Sequence, residues 1–108
     1  MQPRDQARLE DVREHADELL RRLGDTELDA YLEDRGLQRI TERLMEILGE
    51  AAGQVSDDAR AAIEHDWEGL CGLRNILAHQ YGRVDQARLF AATRRIRQLL
   101  EALDSLAD

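Results

Sequence analysis

The chain contains no lysine, a single cysteine and no apolar run of the length a membrane crossing needs. Each absence narrows the field. With 15 arginines against 23 acidic residues and a net charge of -8, it lacks the lysine-rich tails that nonspecific nucleic-acid and membrane-surface binders carry. With Cys71 alone, no disulfide closes within the chain and no cysteine-rich zinc site can be built. No stretch approaches the roughly 18 apolar residues of a spanning helix, and Met1-Gln2-Pro3-Arg4-Asp5 leads directly into charged helical sequence. A cytoplasmic protein without membrane attachment is expected. Valine, isoleucine and threonine together number eleven, and no segment alternates with period two long enough to argue a strand.

What is present fits one all-α domain over residues 1–108, an antiparallel bundle of four to five helices. Seventeen leucines and fourteen alanines supply a core. A domain of this size buries only about 60–70% of its chain surface, so help from a second chain is expected. From about Arg4 to Leu23, the positions Leu9, Val12, Ala16, Leu19, Leu20 and Leu23 recur at helical steps, and Gly24 stops the helix. Asp25 or Thr26 is predicted to cap a second stretch whose stripe runs through Leu28, Leu32, Leu37, Ile40, Leu44, Ile47, Leu48 and Ala51, with a break at Gly36. Ser56, followed by Asp57 and Asp58, reads as an N-cap with acids in the first turn, opening a short helix to about Glu64. Asp66 is placed to cap a helix from Trp67 to Tyr81 that stops at Gly82. Asp85 is placed to cap the last, with Leu89, Ile96, Leu99, Leu100, Leu103 and Leu106 facing inward.

Chemistry concentrates in Arg74-Asn75-Ile76-Leu77-Ala78-His79-Gln80-Tyr81. An imidazole can act as general base or acid near neutrality, and a guanidinium can hold phosphate oxygens through two parallel hydrogen bonds. RNA brings its own nucleophile, the 2′-hydroxyl, so this chemistry requires neither metal nor other cofactor. At about 100° per residue, Asn75 lies about 40° and Gly72 about 20° from His79, whereas Arg74 lies about 140° away. Three routes remain for uniting them: a distorted helix, a long reach by Arg74, or a second copy of the chain. Leu70, Leu73 and Leu77 read as the core stripe on the other side.

Arg74, His79 and Tyr81 together resemble the R-x4-H-x-Y motif of the HepT-like toxins, in the HEPN superfamily of small helical ribonucleases. Three further segments share the resemblance. Ile47-Leu48-Gly49-Glu50-Ala51-Ala52 is similar to that family's iiGEAa segment, Trp67 to Asn75 to its W-x-x-i-x-G-m-R-N, and Tyr81-Gly82-Arg83-Val84-Asp85 to its Y-x-x-v-D. Cys71, Leu73 and Gln80 depart from the usual neighbours without touching the motif. The resemblance implies a homodimer in which the motifs of both subunits face a shared cleft and two copies of Arg74 and His79 cut RNA without a metal; Asn75, by its spacing, either orients His79 or helps at the phosphate, or bonds within the helix end. It also implies a partner, a nucleotidyltransferase antitoxin of the MNT type that silences the toxin by transferring AMP to Tyr81.

Two readings from different classes follow: an endoribonuclease toxin, and a non-catalytic helical subunit that holds a nucleotidyltransferase or a nucleotide. A plain structural dimer requires the motif match to be coincidence. His15 and His65 lack ligand-spaced companions, Glu50 defaults to packing or a salt bridge, and Trp67 and Cys71 read as core. Charge is uneven along the chain. Residues 1–73 hold nineteen acids and nine arginines, whereas residues 74–97 hold Arg74, Arg83, Arg88, Arg94, Arg95 and Arg97 against Asp85 alone. Arg83 and Arg88 are accordingly expected to contact the RNA backbone, drawing it to one cleft while the acidic body repels it elsewhere.

Overall fold

The computed structural model describes residues 3–63, 67–73, 77 and 84–106. All regular structure among them is helical, in six elements: α1 (Pro3–Leu23), α2 (Leu28–Glu33), α3 (Arg35–Gly53), α4 (Asp57–Ala61), α5 (Trp67–Cys71) and α6 (Gln86–Leu106). α1 forms the centre, packed along α3 on one side and α6 on the other, while α2 spans α3 and α6 and α5 lies on α3. Both long pairings are antiparallel. Asp5 near the start of α1 meets Ser56 just beyond α3, and Arg13 meets Leu103 and Asp104 late in α6.

Helix α1 forms as its pattern predicts, with Leu9, Val12, Ala16, Leu19 and Leu23 buried in one stripe. Leu20 is only half-buried. Its polar side carries short-range ion pairs, Arg21 to Asp17 at 3.0 Å and Arg8 to Asp11 at 3.1 Å, each worth a few tenths of a kcal/mol. Gly24 ends the helix at φ 52°, in the left-handed region that a side chain resists, with its N–H bonded to the Leu20 carbonyl at 2.9 Å.

The second stretch differs from its prediction in two ways. Its N-cap position is Glu27, with no side-chain cap bond, rather than Asp25 or Thr26. Thr26 instead donates its N–H to the Leu23 carbonyl at 2.9 Å, so it belongs to the end of α1. The break lies at Asp34, not Gly36, which sits inside α3. Asp34 serves both helices: its N–H closes α2 on the Tyr31 carbonyl, and its carboxylate caps α3 by accepting the Leu37 N–H at 2.9 Å. A capping carboxylate here ends one helix and starts the next, so glycine is not needed as the breaker. With the register reset at Asp34, Leu28 and Leu32 leave the stripe and stand 39% and 43% exposed, while Tyr31 points inward and is fully buried.

Ser56 caps α4 as expected, accepting the Ala59 N–H at 3.3 Å. The helix closes at Ala61, earlier than predicted, because the chain turns to send Ile63 into the core. Asp66 lies outside the described residues. Asp85 caps α6 as predicted, accepting the Arg88 N–H at 3.1 Å, and Leu89, Ile96, Leu99 and Leu103 are buried, with Leu100 half-buried. The side chain of Leu106 is outside the described set. No helix among the described residues is long and apolar enough to cross a membrane.

Candidate functional site

Arg74, Asn75, His79, Tyr81 and Arg83 lie outside the described residues, and Arg88 within them. Described residues frame the motif on either side. Upstream, Trp67, Leu70 and Leu73 are buried and Leu77 is half-buried against the core, the stripe expected of the motif segment's inner side. The Trp67 indole N–H donates to the Ile63 carbonyl at 3.1 Å, and the Arg60 guanidinium sits 5.8 Å from the centre of its ring. Arg60 also donates to the Ala52 carbonyl at 2.8 Å, joining α4 to the end of α3. Gly72 is half-buried, and the atoms nearest its missing Cβ are carbonyls of its own preceding turn.

The strongest tie in this frame is Asp5. Its side chain is 1% exposed and accepts the Ser56 N–H at 2.9 Å and the Ser56 hydroxyl at 2.7 Å. The first turn of α1 therefore holds the N-cap of α4. Sequence reading misses this role, since an acid in a first turn is ordinarily ascribed to the helix dipole.

Downstream, a second network holds the start of α6. The Tyr31 hydroxyl donates to Gln86 Oε1 at 2.7 Å, and Gln86 Nε2 donates to Glu42 Oε2 at 2.7 Å. Phe90 packs beside the Tyr31 ring with centroids 4.8 Å apart. Burial pushes the Tyr31 phenol up to about 12; the Thr41 hydroxyl opposes this and the Glu42 carboxylate adds to it. No periodicity marks Tyr31, and its signal in the sequence is only a lone tyrosine beside exposed leucines.

A pH dependence follows. With its folded value raised, Tyr31 contributes stability that is whole below the ordinary value of 10.0 and is lost as pH climbs towards about 12. Tyr31→Phe is expected to cost about 1–2 kcal/mol near neutrality, because Gln86 loses its donor, and to flatten this alkaline decline. Denaturant unfolding of both chains across that range provides the check, and an equally steep decline in the variant would refute the assignment.

The remaining polar residues fall into separate places. His15 Nδ1 donates to the Asp11 carbonyl at 2.6 Å, a bond within its own helix. Glu50 is exposed and has no ion-pair partner among the described residues, contrary to the salt bridge or packing expected of it. Arg88 is exposed in the first turn of α6. At about 100° per residue, Arg95 shares its side of the helix, whereas Arg94 and Arg97 fall about 120° and 180° away. These last two line a groove beside α1, so the arginines of α6 do not form one patch.

Comparison with known proteins places this frame in company. A model of the family described as ribonuclease HepT-like matches residues 12–106. The candidate RNase MJ1380 of Methanocaldococcus jannaschii is 30% identical over 83 residues, covering 76% of either chain. From the same organism, the candidate RNases MJ1216 and MJ0125 are 30% and 29% identical over 78 residues, covering 71% of this chain and 64% and 67% of theirs. No solved structure matches the chain.

Proposed function

This chain belongs to the HepT-like ribonuclease family, and from that premise we propose that it is the toxin of a toxin–antitoxin pair, an endoribonuclease that acts on RNA as a homodimer. The observation that carries the reading is the complete set Arg74, Asn75, His79 and Tyr81 in a chain the family covers from residue 12 to 106. The burial of Leu70 and Leu73, with Asp5 and Gln86 holding the flanking helices, supports it by giving the motif a rigid frame on both sides.

In the proposed reaction the substrate's 2′-hydroxyl attacks the adjacent phosphorus. A new O2′–P bond forms as the P–O5′ bond breaks. His79 takes the 2′-hydroxyl proton, and protonated His79 of the partner subunit gives its proton to the departing 5′-oxygen. Arg74 offsets charge on the equatorial oxygens, and Asn75 orients the imidazole from the preceding turn. On an ideal helix Arg74 and His79 would stand about 140° apart, which favours two copies serving one site. The products are a 2′,3′-cyclic phosphate and a free 5′-hydroxyl, and no step requires a metal. Residues 1–108 act as a single domain in this reading, with Arg83 and Arg88 contacting the RNA backbone.

Control is assigned to a nucleotidyltransferase of the MNT type. The phenol oxygen of Tyr81 attacks the α-phosphorus of ATP, pyrophosphate leaves, and the phenol proton passes to solvent. The bulky, anionic AMP then blocks the cleft. The test is growth arrest on expression of the chain alone, relieved by co-expression with its neighbouring nucleotidyltransferase, together with intact-mass analysis of the co-expressed chain. Mass increments of one AMP residue located on Tyr81 by fragmentation are expected. An unmodified chain in a stable inactive complex would replace modification by simple binding, and 5′-phosphate ends or loss of cleavage on chelation would overturn the mechanism.

A further inference from the structure

The groove between the end of α1, the turn into α2 and the outer side of α6 has no role in the chemistry above. We propose that it docks an acidic amphipathic helix of a partner protein. Leu20, Leu23, Leu28 and Phe90 form the apolar part of its walls, with Thr26 and Thr93 beside them, around a hollow of about 390 Å³. That volume lies within the range of ligand-binding clefts, about 300–1,000 Å³. Leu28 and Leu32, one turn apart on α2 and exposed, extend the apolar strip past the hollow.

Charge selects the occupant. Arg94 and Arg97, exposed and one turn apart on α6, line the groove, and no acidic side chain joins them there. Among the described residues neither makes a side-chain hydrogen bond or an ion pair, which is true also of Arg35, Arg39 and Arg88 outside the groove, whereas Arg8, Arg13, Arg21, Arg22 and Arg43 each hold a carboxylate. Two unpaired guanidinium groups in a chain of net charge -8 are therefore available to an outside anion. A symmetric dimer through this face would set the arginines against their own copies. An RNA backbone would lay phosphates over leucine side chains, and Phe90, the groove's one aromatic ring, is already packed beside Tyr31. A helix with apolar residues at i, i+3 or i+4, and i+7 fills such a groove, and flanking aspartates or glutamates meet the arginines through charge-assisted bonds.

Fluorescence anisotropy on the full chain tests it with three labelled probes: a four-turn peptide with leucine at those positions and glutamate elsewhere, the same peptide with lysine for glutamate, and a single-stranded RNA of equal length. Of the two peptides only the acidic one is expected to bind, and the RNA, which the proposed cleft takes elsewhere on the chain, is not expected to compete with it. Arg94→Glu combined with Arg97→Glu should weaken it about tenfold or more, as should Leu28→Asp, with the helical circular dichroism of both variants unchanged. Equal binding of the two peptides, no binding of the acidic one, its displacement by the RNA, or unaltered affinity in the variants would each overturn the proposal. A loss of dimer with Leu28→Asp in sedimentation would also overturn it, by assigning the face to a second copy.

Discussion

Replacement of His79 by alanine is expected to slow RNA cleavage by about 10²–10⁴-fold, the span that a positioned acid or base contributes, and to abolish growth arrest with it. His79→Ala should leave the helical signal, melting temperature and sedimentation of the chain unchanged. Arg74→Lys separates the two roles. It keeps the charge but gives up the paired geometry of the guanidinium, so the rate should fall while the pH profile, set by the imidazoles, keeps its shape. A purified and folded His79→Ala chain that cleaves at the full rate would rule out the proposed chemistry. Loss of cleavage accompanied by unfolding would leave Arg74→Lys and its pH profile as the deciding measurement.

The largest effect on stability is expected at Asp5. Asp5→Ala strands the Ser56 N–H and hydroxyl, which share one buried carboxylate. Two hydrogen bonds to a charged group are lost at once, together worth roughly 2–4 kcal/mol at part-buried Ser56. At about 4–8 °C per kcal/mol for a domain near this size, melting should fall by about 10 °C or more. Ser56→Ala removes only the hydroxyl and should cost less, and the double variant should cost less than the two single changes combined, since each removes the other's partner. Thermal unfolding of the three variants checks this, and strict additivity would show that the pair does not act as one unit.

Much of this fold is legible in the chain because caps are local. Gly24, Ser56 and Asp85 stop or start helices through bonds to residues three or four positions away, and short-range geometry is what a sequence displays. The division at Asp34 is equally local, yet it hides behind Gly36, since glycine has the stronger reputation as a breaker and an aspartate's capping depends on which N–H it faces. The exposure of Leu28 and Leu32 follows from that one shift in register. Least legible are Asp5 with Ser56 and Tyr31 with Gln86 and Glu42, because their partners are brought together only by tertiary packing. The candidate site divides the same way. Arg74, Asn75, His79 and Tyr81 stand out by type and spacing, as does the inner stripe of Leu70, Leu73 and Leu77, whereas the polar ties that hold the flanking helices do not. The arginines of α6, adjacent in sequence, part to different sides once wound on a helix.

The ties that close the fold span long stretches of chain: Asp5 to Ser56 across 51 residues and Arg13 to Leu103 across 90. Helix α1 is thus covered by α6, which leaves the ribosome long after it. Contacts this distant slow folding relative to bundles whose helices pair in sequence order, because the whole intervening chain must be gathered before they form. During synthesis the stripe of Leu9, Val12, Ala16 and Leu19 stays without its α6 wall until Ile96 and Leu99 have emerged. A chain halted within α6 therefore yields an open intermediate with exposed apolar surface, the form that chaperones and proteases recognise.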